Sequence, residues 1–311
     1  MNVSISQHMR SSAIVFHVIL RRACQRLAGY IFILPAVVLE GLFFGYPLLR
    51  TLYISLHDWP VLGTKHYIGL ENYDYILSNE QFWEAMRFTG LYTVVVTPAI
   101  FIVAFGLAVL VNQGLPGTTF FRSVYFVPVV ISFVSSSLIW LWIYHDLYGI
   151  LNYILRELHL ITEPIVWMGE RKTSLPAIVI MIVWKTAGFN MVILLAGMQS
   201  IPEQVYESAA LDGANFVQRM RHITLPLLRP SFALAMVVSV AGSVLAFDQF
   251  KVMTRGGPAN TTRTIMMYIY DTSFAYFRLG EGAAMAILLM VMLIALSVVQ
   301  LRVLQRQAVE Y

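Results

Sequence analysis

The chain has 311 residues, 58% of them hydrophobic and 12% charged, with a formal net charge of +4 and a mean hydropathy of +0.70. That balance excludes an ordinary soluble domain, in which about half the residues are apolar and about a quarter charged. Lipid is therefore the solvent for most of the chain, and basic residues confined to short flanks of apolar segments argue against nucleic acid as a partner.

Residues 1–26 read as a lead-in on the cytoplasmic side or at the interface. An apolar stretch, Ala13 to Leu20, precedes Arg21, Arg22 and Arg26, whereas a secretory signal carries its basic residues before the apolar core. Its eight residues also fall short of the about 20 needed to cross a hydrocarbon core of roughly 30 Å. Cys24, the one cysteine, has no partner for an intramolecular disulfide and no Cys or His cluster beside it for a metal.

Six segments are long and apolar enough to span: Leu27 to Leu49, Phe88 to Val111, Val124 to Tyr144, Leu175 to Met198, Leu225 to Phe247, and Ala283 to Leu304. They are helices, because an open strand in hydrocarbon leaves its backbone groups unpaired. The expected fold is thus an all-α integral membrane protein with a membrane domain over 27–304 and a tail over 305–311. An even number of spans puts both termini on one face. Arg10, Arg21, Arg22, Arg26, Arg122, Arg219, Arg221, Arg302 and Arg306 lie on that face, which reads as cytoplasmic, although the three longer loops carry Lys and Arg too. Glu40 and Lys185 fall inside apolar segments, so each is expected to face the protein interior or to reach an interface. No Walker-type Gly-x-x-x-x-Gly-Lys-Ser/Thr is present. The chain is expected to be no enzyme, with any ATP hydrolysis on a separate subunit.

The polar connection over 199–226 is the most informative stretch. Pro202 suits the first turn of a short helix, Glu203 sits near its positive end, and Gly213 supplies the turn that ends it after about Asp212. Ser208, Ala209 and Ala210 leave one face without bulk, and Glu207 offers a carboxylate to a cation opposite. Leu225-Pro226 then starts the next span. By composition alone this is equally an amphipathic surface loop with a glycine stop.

The spacing Glu207-Ser-Ala, Gly213, Ile223, Leu225-Pro226 resembles the EAA signature of binding-protein-dependent ABC importer permeases, with Ser208 where the first alanine usually stands. The resemblance extends over roughly 27 to 304, to the carbohydrate-uptake permeases related to the larger maltose permease and the glycerol-3-phosphate permease. It is carried by Tyr67-Ile-Gly-Leu-Glu-Asn-Tyr73, Phe82-Trp83, Phe126-Val-Pro128, Gly149-Ile-Leu-Asn152, Trp184-Lys185, Ala196-Gly-Met-Gln-Ser-Ile-Pro202 and Thr254-Arg-Gly-Gly-Pro258. It implies the type I ABC importer permease fold in the cell (inner) membrane. It also implies a second homologous permease, two ABC ATPase subunits that bind ATP and Mg, and an extracytoplasmic substrate-binding protein as partners beside membrane lipid. This chain itself would hold no cofactor and no metal. Glu207, Ser208, Ala209, Asp212 and Gly213 would form the helix that couples to an ATPase.

A sugar site needs aromatic faces for the apolar side of the ring and a few polar groups for its hydroxyls. Trp184, Thr186, Phe189 and Asn190 supply both within one segment, and by resemblance Phe133, Thr186, Phe189 and Ser243 fall near cavity-lining positions. Trp184 is also read as an interface anchor or packing residue, and Lys185 as the partner of a neighbouring acid or carbonyl. A glycerol-phosphate cargo on the same scaffold, a secondary transporter with inverted repeats and acid pairs, and a membrane scaffold are the competing readings.

Overall fold

The computed structural model describes residues 30–113 and 116–305. The lead-in with Cys24 and its arginines, and the tail from Arg306, lie outside the described residues.

Helix α1 (Tyr30–Ser55) is the first of five helices long and apolar enough to cross a membrane. It carries a π-helical turn at Gly41–Gly45, its most apolar stretch is not buried within the chain, and Glu40 is exposed on it. A short antiparallel pair, β1 (His57–Asp58) with β2 (His66–Tyr67), leads into α2 (Glu71–Ser78). α3 (Glu80–Asn112) starts at Asn79, whose side chain accepts from Gln81 N at 2.9 Å, an N-cap that sets the helix start within a polar loop. α4 (Thr118–Val130) and α5 (Phe133–Ile143) follow, then α6 (Ile150–Glu157) and α7 (Arg171–Gln199). Beyond α8 (Glu203–Leu211) and α9 (Phe216–Arg219), a π turn at Met220–Thr224 and α10 (Leu225–Leu227) enter α11 (Arg229–Val244). α12 (Asp248–Met253), α13 (Ile265–Tyr270) and α14 (Leu279–Gln305) complete the chain. The other spans are α3, α7, α11 running on through α12, and α14.

Two expectations are corrected. The third apolar segment is not one helix: α4 and α5 meet at a bend of 100°, because Ile131 is extended (φ −70°, ψ 140°) and Ser132 caps a new helix. Mean hydropathy runs unbroken across such a break. The fifth span begins at Arg229 with a proline in its first turn; Leu225-Pro226 belongs to a separate turn that stops at Leu228.

The core forms where α3 lies along α7. Near one end of α3, Phe88 and Tyr92 meet Phe250 edge-on at 5.4 and 4.9 Å, and farther along Ala104 and Ala108 pack with Leu194 and Leu195 of α7. The longer loops are folded onto this core by buried amides and hydroxyls. Asn72 Nδ2 donates to Ser55 O at 2.8 Å and His57 O at 3.0 Å. Asn152, 1% exposed, donates to Asp146 O and Ile165 O and accepts from Ile165 N and Trp167 Nε1. Thr89 Oγ1 accepts from Ile265 N at 2.9 Å. Asp271 gathers Lys251 at 2.9 Å and Arg263 at 3.0 Å.

Candidate functional site

The site is built around the break in the third span. A helix that ends inside a membrane leaves its last carbonyls without partners, and lipid supplies none. Lys185 of α7 adds donors there: its Nζ donates to Pro128 O at 3.3 Å, which also accepts from Ile131 N at 3.3 Å, and to Ile131 O. The residue is 4% exposed, and its Nζ stands 4.5 Å from the centroid of the Phe133 ring. Of the two expectations for an intramembrane lysine, the interior one with carbonyl partners therefore holds. Gly188, about one turn on and on the same face of α7, lets α4 come close; a Cβ there would lie 2.0 Å from Tyr125 O.

Beside this crossing lies a cavity of about 290 Å³. Phe133, Thr186, Phe189, Asn190 and Ser243 all line it, so five of the six residues expected on the pathway are brought together. Thr186, Phe189 and Asn190 share a helix face through their i, i+3, i+4 spacing, and Ser239 and Ser243 of α11 do the same. The hydroxyls spend their donors locally: Thr186 Oγ1 on Ile182 O at 2.7 Å, Ser243 Oγ on Ser239 O at 2.8 Å, and Ser239 Oγ on Asn190 Oδ1 at 2.9 Å. A hydroxyl that donates to its own helix keeps its acceptor capacity. The wall thus offers oxygen acceptors beside the partly exposed rings of Phe133 and Phe189, a combination suited to a polyol with an apolar ring face.

Trp184 is not part of this wall. It sits two residues before Thr186, about 200° round the helix, and its ring packs 5.7 Å from Trp140 of α5. Sequence reasoning missed Tyr92, Ser239 and Gln249, all of which line the cavity. Ser239 was findable from its i, i+4 relation to Ser243. Tyr92 and Gln249, joined at 3.4 Å, reach the cavity through the packing of α3 against α12, for which no local pattern exists. A larger crevice of about 550 Å³ between α3, α11 and α14 is apolar except for hydroxyls and amides such as Thr93, Thr97 and Gln300. It brings none of the expected residues together. Among the described residues no group of His, Cys, Asp and Glu is arranged to hold a metal.

The second part of the site is α8. Glu203 lies in its first turn, where a carboxylate favours the helix dipole. Its end is closed by Gly213 N donating to Ala210 O at 3.1 Å and Ala214 N to Ala209 O at 2.9 Å, the Schellman pair, with Gly213 at φ +79°. Glu207, Ser208, Asp212 and Gly213 are exposed and Ala209 half-buried; Leu211 is 90% exposed. Ser208 turns its hydroxyl back onto Gln204 O at 2.9 Å, so it presents little more than an alanine would. Asn215 and Gln218 then form a capping box that starts α9. Tyr206 OH lies 3.0 Å from Thr224 Oγ1 and ties α8 to the base of α11.

Long apolar helices around a largely apolar cavity set with a few hydroxyls and amides, a broken apolar stretch beside it, and a short exposed helix between two spans define a multi-pass membrane permease. The chain belongs to the family of binding-protein-dependent transport system inner membrane components, whose model matches residues 102–310. It is 32% identical to the sulfoquinovosyl glycerol transport system permease protein of Agrobacterium fabrum, over 90% of this chain and 91% of that one. It is 34% identical to the trehalose/maltose transport system permease protein of Thermococcus litoralis, over 88% and 92%. Among solved structures, a chain of a bacterial ABC transporter involved in import of the acidic polysaccharide alginate superposes with a TM-score of 0.80 at 21% identity, covering 93% of this chain and 98% of that one.

Proposed function

We propose that this chain is one permease half of an ATP-driven, binding-protein-dependent importer and carries a carbohydrate by alternating access. The observation that carries the reading is the cavity, in which Phe133 and Phe189 stand beside Thr186, Asn190, Ser239 and Ser243. The sugar cargoes named for its relatives agree with that chemistry. α8 is the part that meets an ATPase subunit, through Glu207, Ser208, Ala209, Asp212 and Gly213. A second homologous permease completes the pathway, two ATPase subunits bind ATP and Mg, and an extracytoplasmic binding protein delivers cargo. In this reading α8 and both termini are cytoplasmic and the longer loops face outward. ATPase closure would move α8, and the two permease halves would rock about the cavity.

A second reading, an anionic cargo of the glycerol-phosphate type, is favoured by one observation: Lys185 is the only charged side chain on the cavity wall among the described residues. Uptake by the complex reconstituted in liposomes, assayed with maltose, trehalose, lactose, sulfoquinovosyl glycerol and glycerol-3-phosphate, separates the two. For the coupling assignment, Glu207→Arg is expected to abolish ATPase co-purification and uptake while the chain still inserts in the membrane. Undiminished assembly and uptake would refute it.

A further inference from the structure

We propose that Lys185 is the positioning residue of the cavity: its ammonium ties together the two sides of the α4–α5 break and so sets where Phe133 stands. The inference rests on reading this cavity as the cargo path. One ammonium touches the chain on both sides of the break, through Pro128 O and Ile131 O before it and the face of Phe133 after it. Phe133 is the first residue of α5, so its ring has no preceding helical turn to brace it. The backbone of α4 reaches Lys185 only because Gly188 presents no side chain at the crossing.

Donor counting assigns the lysine to this task rather than to cargo. An ammonium has three N–H groups; two serve carbonyls and the remaining side lies over an aromatic face that attracts cations. What the cavity gains from the charge is a fixed wall. The cargo then needs no negative group, and Phe133, held against the ammonium, supplies an apolar face at a set place.

The test uses the assembled importer and two readouts, hydrogen exchange over residues 128–136 in lipid nanodiscs and, in liposomes, the uptake KM for the panel sugar that the unaltered importer takes up. In the native chain the Ser135 and Ser136 amides bond within the α5 cap. Lys185→Met is expected to speed their exchange about ten-fold or more and to raise KM by a similar factor, from the loss of charge-assisted hydrogen bonds. Lys185→Arg, which keeps the donors, should restore both in large part. Adding Phe133→Leu to Lys185→Met should raise KM little further, because the ring is already released. If the methionine chain fails to assemble, Lys185→Gln with its one short amide donor is measured in the same way and should show the same changes.

Unchanged exchange would overturn the proposal, as would additive effects of the two substitutions. A KM shift for glycerol-3-phosphate without one for maltose would also overturn it and make Lys185 a cargo contact. If the unaltered importer takes up none of the panel sugars, the cargo reading fails while the exchange measurement still decides the role of Lys185 at the break.

Discussion

Gly188→Ala tests how closely the site depends on the α4–α7 crossing. The added Cβ would lie 2.0 Å from Tyr125 O, 2.9 Å from Tyr125 C and 3.2 Å from Phe126 Cα, while ordinary contact begins at 3.4 Å. The nearest obstacles are backbone atoms and cannot swing aside. α4 must withdraw by about 1.4 Å, the gap between 2.0 and 3.4 Å, which takes Pro128 O from 3.3 Å to beyond the reach of Lys185. Overpacking costs about 1–3 kcal/mol, and each lost hydrogen bond to a charged group about 1.5–3 kcal/mol. Against this, alanine in a helix interior gains at most about 1 kcal/mol over glycine, so destabilisation wins. Thermal unfolding of the purified chain should show a fall in Tm of roughly 5–10 °C, with the hydrogen exchange of Ser135 and Ser136 rising together. Gly106→Ala is the control, since nothing lies within 4 Å of a Cβ there. A Gly188→Ala chain as stable as this control would refute the close-crossing argument.

Two further predictions concern the loops. Gly213→Val meets no obstacle in space but forces a β-branched residue to φ +79°, at a cost of about 1–2 kcal/mol; α8 should fray from its end and ATPase co-purification should fall several-fold, while Gly213→Asn stays close to native. Asn152→Ala leaves Ile165 N and Trp167 Nε1 without their acceptor, about 1–3 kcal/mol for each buried group. Trypsin should then cut the 145–174 loop at Arg156 several-fold faster, and an unchanged rate would show that Asn152 does not hold the loop down.

The residues carrying the family resemblance turn out to be joints of the fold. Asn72 and Asn152 satisfy loop backbone, Pro128 in the last turn of α4 offers its carbonyl to Ile131 N, and Lys185 bonds that same carbonyl. The sequence showed that these residues stood in a pattern; their bonds supply the physical reason for it. The α8 end was legible because a Gly213 stop and a Pro202 start act through backbone conformation alone. For Trp184 the sequence left two readings open, pathway and packing, and its ring packs on Trp140; aromatic type and proximity to Thr186 say nothing about which side of α7 faces a cavity.

The sequence by itself determined that the chain lives in a membrane, how many apolar stretches it has, and where the exposed helix between two of them starts and stops. These are sums of transfer free energy and local dihedral preference, and neither needs a partner segment. Only the tertiary structure decided that the third stretch breaks, that a lysine from another helix caps the break, and that Tyr92 and Gln249 converge on the same cavity. Those outcomes depend on which helix faces meet and how closely, as at Gly188, and a helix period predicts a face without naming what lies opposite it.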